Sequence, residues 1–140
     1  MTNLYLSRYF VYLWNTADRA GMEAGGQLAT APMVVQNVDI AGNVSGPKYH
    51  VSEGECGFAW LTLKGNTPFG RWAKASGIAT SCYTGGLTIR CRAFGQSMQR
   101  KEAWAQAAML HLRTHGRYTA GAGAGKEYDF QDVWMGSRMD

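Results

Sequence analysis

The apolar positions change period several times along the chain, and each change marks an element. Across residues 2–24, Leu6, Phe10, Leu13 and Trp14 recur at helical spacing, and Tyr5, Tyr9 and Tyr12 widen the same stripe. Thr2 or Asn3 stands where an N-cap belongs, and Gly25-Gly26 is expected to end the helix. The expected task of the stripe is packing on a core. An aromatic face also suits a homodimer or partner contact, because aromatic side chains favour interface cores. Residues 33–52 are mixed: Met33-Val34-Val35 reads as a short strand and Gly42 to Pro47 as a loop.

From residue 56 onward the period alternates between two and 3.6. Phe58, Trp60, Thr62 and Lys64 fall on one face of a strand, with Ala59, Leu61 and Leu63 on the other. Thr67 is placed to N-cap a short helix with Pro68 at its first position, and Gly77 closes it. Phe69, Trp72 and Ala73 are its apolar side, and Arg71 and Lys74 point outward. Residues 87–94 alternate again, with Leu87, Ile89, Cys91 and Ala93 opposite Thr88, Arg90, Arg92 and Phe94. Ser97 opens a helix to about His115, with Ala103, Trp104, Ala107 and Leu110 on its apolar side and Gly116 at its end.

The run Thr119-Ala-Gly-Ala-Gly-Ala-Gly125 reads as a mobile loop, and residues 128–136 as a last strand containing Val133, Trp134 and Met135. The resulting expectation is an α+β fold. A strand-helix-strand-helix-strand sheet layer over 56–140 carries helices on one face, preceded by the aromatic N-terminal helix. The alternation of strands and helices suggests parallel pairs joined by right-handed crossovers. The 140 residues suit one domain, with 1–32 as a helical arm and 56–140 as the core.

Charge changes the picture more than composition does. The net charge of +4 is divided unevenly: residues 1–55 carry −2, residues 56–126 carry +9 with Glu102 as their single acid, and residues 127–140 carry −3. Such a block points to an acidic partner, nucleic acid or an acidic protein, or to neutralisation by the two ends. Cys56, Cys82 and Cys91 form no disulfide framework and no CxxC pair, and their expected part is that of small buried hydrophobes. His50 adds nothing with zinc-ligand spacing. His111 and His115 are four apart without the glutamate of a zinc-protease motif, and a helix C-terminus accounts for His115. The N-terminus lacks the pattern of a secretory signal, and the run 10–14 is too short to span a bilayer. A cytoplasmic setting in a bacterial or host cell, away from membranes, is expected.

Motifs for catalysis are missing. The stretch Gly121 to Glu127 has Ala120 where a phosphate loop needs glycine, and Glu127 where it needs serine or threonine. The dinucleotide pattern fails there as well. No serine, histidine and aspartate order, paired carboxylates or nucleophile elbow stands out. An enzyme is therefore the third expectation, one that would have to rest on Glu102 or His111, and no cofactor is expected.

The stretch Gly95-Gln-Ser-Met-Gln-Arg-Lys-Glu-Ala-Trp-Ala-Gln-Ala-Ala108 resembles the end of a double-stranded-RNA-binding domain, where a glycine-containing loop leads into a basic helix. The resemblance implies phosphate contacts at Arg100 and Lys101. Trp104 stands where that family has a further lysine, and the preceding segment lacks the family's three-strand meander. It is a shared local solution rather than membership. Cys56-Gly-Phe-Ala-Trp60, Gln96 to Ala103 and Gly136-Ser-Arg-Met-Asp140 together resemble small bacteriophage- and prophage-encoded proteins, which implies a viral setting and no particular activity.

The leading expectation is a non-enzymatic nucleic-acid-binding protein, for DNA or RNA, with a basic and aromatic surface. Its site residues are Arg90, Arg92, Arg100, Lys101, Lys64, Trp60, Arg71 and Lys74. If the strands at 58–64 and 87–94 lie side by side in register, the aromatic rings and the arginines share one face, as on sheet platforms that hold single strands. The alternative is a protein-interaction factor that docks on an acidic host or defence protein, anchored by the aromatic N-terminal helix.

Overall fold

The computed structural model describes residues 4–28, 33–38, 44–51, 57–82 and 85–139, and for 33–38 and 44–51 the backbone pairing alone. The elements are α1 (Leu4–Gln27), β1 (Met33–Val38), β2 (Val44–Val51), β3 (Gly57–Leu63), α2 (Pro68–Ala75), β4 (Thr80–Ser81), β5 (Leu87–Arg90), α3 (Met98–His115), β6 (Arg117–Ala120), β7 (Lys126–Asp129) and β8 (Trp134–Met139). Strands β4, β5, β3 and β8 form one sheet in that order, and β1-β2 and β6-β7 are separate two-stranded sheets.

The fold is α+β with its helices on one face of the four-stranded sheet. Every strand pair in it is antiparallel, so the expected parallel pairs with right-handed crossovers are corrected. The reason is the connections: α2 leads into the edge strand β4, from which the chain returns as β5 between β4 and β3, and the β6-β7 hairpin stands between α3 and β8, so no helix joins two neighbouring strands of this sheet directly. Alternation sets the inner face. Ala59, Leu61 and Leu63 of β3, with Leu87 and Ile89 of β5, are buried beneath the helices.

Helix α1 does not stop at Gly25-Gly26 but runs to Gln27. The Arg100 guanidinium donates through Nη1 to the carbonyls of Gly25 (2.8 Å) and Gly26 (3.1 Å), satisfying the last turn from another element. Gly25 is needed there for space, since a Cβ would meet the Phe94 ring and the Arg100 backbone oxygen. Phe10, Leu13 and Ala17 of α1 are part of the main core.

Around Phe10 the rings pack edge to face: Phe10 on Tyr118 at 4.8 Å, Phe10 on Phe69 at 5.4 Å and Phe69 on Phe130 at 4.9 Å. Such pairs contribute about 0.5–1.5 kcal/mol each beyond area burial. The Tyr118 hydroxyl accepts from the Phe69 backbone N–H at 3.1 Å in the buried first turn of α2, and burial raises its pKa. Thr67 caps α2 by accepting from Gly70 N–H, with Pro68 opening the helix, as the sequence predicts.

Helix α3 begins after its Ser97 cap, which accepts from Arg100 N–H. Its buried stripe is Lys101, Trp104, Ala105, Ala108, Met109 and Leu112. The expected apolar side was offset by a fraction of a turn, and Leu110 is exposed. The offset follows from α1, which packs along α3 and takes the Trp104 side for itself: Gly21 faces the Trp104 indole, and Trp104 Nε1 donates to Asp18 at 2.9 Å.

Other boundaries also move. Strand β5 ends at Arg90 rather than residue 94, because Phe94 (φ 68°) and Gly95 (φ 55°) adopt left-handed conformations that turn the chain into α3. The expected loop at Gly42–Pro47 is strand from Val44 onward, paired with β1. Of the expected mobile loop 119–125, Thr119 and Ala120 are paired in β6, and residues 121–125 are the turn of the β6-β7 hairpin, with positive φ at Gly121, Gly123 and Gly125. The expected last strand divides into β7 and β8, separated by a turn in which Val133 N–H reaches Phe130 O. Cys56 lies outside the described residues, and the His50 side chain is likewise not described.

Candidate nucleic-acid interface

The outer face of the four-stranded sheet is fixed by pleat and register. On β3 it presents Phe58, Trp60 and Thr62, the residues that alternate with the buried Ala59, Leu61 and Leu63. Trp60 stands opposite Arg90 of β5 and opposite Gly136 of β8. Phe58 stands opposite Arg138, and Thr62 opposite Thr88 and Trp134. Cross-strand partners on one face are neighbours. The two aromatic rings of β3 are thus flanked by an arginine on each adjacent strand.

Gly136 makes the flat arrangement of Trp60 feasible. A Cβ at residue 136 would lie 2.6–2.8 Å from Nε1, Cε2 and Cζ2 of the indole, so the ring occupies the space that any side chain there would take. Trp60 is half-buried.

Two hollows share this face. One, of about 480 Å³, is lined by Phe58, Trp60, Thr62 and Thr88 with Arg90 and Arg138, and Cys82 at its margin. The other, of about 460 Å³, shares Phe58, Thr88 and Arg90 and extends to Arg92 and Lys101. Among the described residues no carboxylate lines either one. Lys101 belongs to α3 on the opposite face, yet its ammonium reaches the Phe58 ring, 5.2 Å from the centroid, where the chain after β5 diverges from β3. Cys91 is buried beside it, and burial raises its thiol pKa. A third, smaller hollow of about 280 Å³ holds Arg90 and Arg92 together with Asp18 and Trp104.

The eight residues singled out in the sequence therefore separate. Trp60, Arg90, Arg92 and Lys101 come together along the two hollows. Arg100 does not join them, since its guanidinium caps α1. Lys64 is exposed and paired with Asp132 at 3.3 Å. Arg71 donates to the Asn66 carbonyl at the N-terminal end of α2, at 3.2 Å, and Lys74 is exposed on the same short helix. The acidic C-terminal block does fold back, but onto Lys64 through Asp132 and onto Arg117 through Glu127 at 3.3 Å. Arg90, Arg92, Arg138 and Lys101 are in neither pair.

Arg138 and Phe58 were missing from the expected site, and Trp134 with them. The signal for Arg138 is alternation: Trp134, Gly136 and Arg138 share a face once the last strand is continued past residue 136. Trp134 is exposed at the edge strand, and the Arg113 guanidinium covers its ring at 4.3 Å.

Elsewhere, the His111 and His115 rings lie 4.6 Å apart and tilted by 48°, and His111 Nε2 is 3.0 Å from the Thr16 hydroxyl. Burial, then the neighbouring His115, lowers the His111 pKa. Among the described residues no three histidine, cysteine or carboxylate side chains converge as metal ligands, and no helix is long and apolar enough to cross a membrane. Comparison with protein-family models, with curated proteins and with solved structures finds no match for the chain.

Proposed function

We propose that this protein is a non-enzymatic nucleic-acid-binding protein, of the small phage type, and that the outer face of its four-stranded sheet is the binding surface. The observation that carries this reading is the register pair Trp60–Arg90 with Phe58–Arg138 beside it: two aromatic rings between two arginines, continuous with Arg92 and Lys101. Stacking surfaces and phosphate-pairing cations on one face are what nucleic acid requires of a protein. Among the described residues, Asp132 and Glu127 of the acidic C-terminal block pair with Lys64 and Arg117 rather than with this face.

Fluorescence anisotropy with labelled single- and double-stranded DNA and RNA tests it. Binding is expected at low salt and falls steeply as salt is added, because phosphate contacts release counterions. Absence of binding to all four at low salt refutes the proposal.

A second reading, a protein-interaction factor, draws on α1, where Leu4, Tyr5, Val11 and Tyr12 are exposed on one side of the helix. An aromatic stripe of this kind suits a protein anchor. Capture from nuclease-treated host lysate separates the two: a partner retained by the wild type and lost with Tyr12→Asp favours this reading, and loss of every partner on nuclease treatment favours nucleic acid.

A further inference from the structure

We infer that the outer-face groove takes a single strand with its bases unstacked from one another, rather than a duplex, and seats one of its phosphates at Lys101. This inference rests on the nucleic-acid reading above and specifies the form of the ligand.

The first ground is what the rings offer. Trp60 and Phe58 are next neighbours on one face of β3, so their Cα atoms are about 6.8 Å apart at roughly 3.4 Å per residue. Successive bases along one strand of a duplex are only about 3.4 Å apart. In a duplex, moreover, the base faces are hidden in the stack, and the grooves expose base edges. Rings laid on a sheet can stack only on bases that are splayed out. The Trp60 indole lies over Gly136, which leaves its opposite side to the hollow.

The second ground is Lys101. The residue as a whole is 7% exposed and lines the second hollow together with Arg90 and Arg92, its ammonium over the Phe58 ring. The Phe58 ring is set against that charge, Cys91 is buried beside it, and among the described residues no carboxylate lines the hollow. A cation that lines a hollow without a carboxylate has charge to offer an entering anion. A phosphate entering beside Phe58 would meet three cations there. Its own base would then lie within reach of Phe58 or Trp60 in the same groove. A single strand presents phosphate and base face together in this way, whereas a duplex presents phosphates outside and base faces nowhere.

The test is anisotropy on the full chain with one labelled 12-nucleotide DNA, its RNA counterpart, and the DNA annealed to its complement. The single strands are expected to bind at least tenfold more tightly than the duplex. Trp60→Thr, which keeps strand propensity, is expected to weaken single-strand binding roughly five- to hundredfold and to leave duplex binding nearly unchanged. Lys101→Met, close in volume, is expected to lower the salt slope for the single strand by about one. Duplex binding as tight as single-strand binding overturns the inference while leaving the nucleic-acid reading standing. An unchanged slope in Lys101→Met removes the phosphate seat. No binding of any of the three ends this inference, and if double-stranded RNA is unbound as well the nucleic-acid reading ends with it. The comparison of strands on the unaltered chain decides the main point even if a variant fails to fold, and exposed Arg138→Ala then supplies a second variant of the same face.

Discussion

Gly21 and Gly26 lie on the same helix, and changing each to alanine is expected to move stability in opposite directions. Alanine is the better helix former by about 1 kcal/mol in a helix interior. At Gly26 that is all that changes, because a Cβ there meets nothing within 4 Å. Near the helix end the gain is reduced, so Gly26→Ala should stabilise by about 0.5 kcal/mol. At Gly21 a Cβ would lie 2.8 Å from Nε1 and 2.9 Å from Cγ of Trp104, well inside ordinary contact. The indole cannot simply swing away: it is 3% exposed, its Nε1 is bonded to Asp18, and Trp14 packs against it edge to face at 6.1 Å. Overpacking of this kind costs about 1–3 kcal/mol, and displacing the Asp18 bond adds about 1 kcal/mol. Set against the helix gain, Gly21→Ala should destabilise by about 1–3 kcal/mol. Urea denaturation read by circular dichroism measures both. At this chain length the melting temperature should move by roughly 3–5 °C per kcal/mol. If Gly21→Ala stabilises as much as Gly26→Ala does, the close packing of α1 on α3 at Trp104 is refuted.

Two further outcomes concern the cations and one histidine. Arg100→Ala should cost about 1–2 kcal/mol, because the Gly25 and Gly26 carbonyls lose a charged donor, while the salt slope of nucleic-acid binding stays as in the wild type; Arg90→Ala should do the reverse, lowering that slope by about one with little change in melting temperature. His111 titrates below its ordinary value of about 6.5. The folded state therefore binds fewer protons than the unfolded chain just below that value, and stability is lost as pH falls through the window from about 6.5 downward. Melting temperatures from pH 7.5 to 5 should show that loss in the wild type and a smaller one in His111→Gln; equal slopes would count against it.

Much of the fold is legible locally. Alternation at 58–64 sorts Phe58 and Trp60 from Ala59, Leu61 and Leu63, and the structure keeps that sorting because face is a property of the pleat itself. Thr67 and Ser97 cap the helices they precede, since capping needs only residues within one turn. The end of α1 was not legible, because the group that satisfies Gly25 and Gly26 is Arg100, some 75 positions away. Nor was the extent of the last strand, whose six residues acquire their ladder only from β3.

The candidate site divides along the same line. The sequence by itself determined that the middle of the chain is basic, that its ends are acidic, and which residues of each strand face together. Tertiary structure alone decided that β3 lies between β5 and β8, so that Trp60 meets Arg90 and Phe58 meets Arg138. It also decided which cations are used up: Lys64 on Asp132, Arg117 on Glu127 and Arg100 on α1. A charge total is a sum over residues and ignores where they are. Pairing and register depend on groups distant in sequence, and they alone turn a basic stretch into a surface with arginines on both sides of two rings.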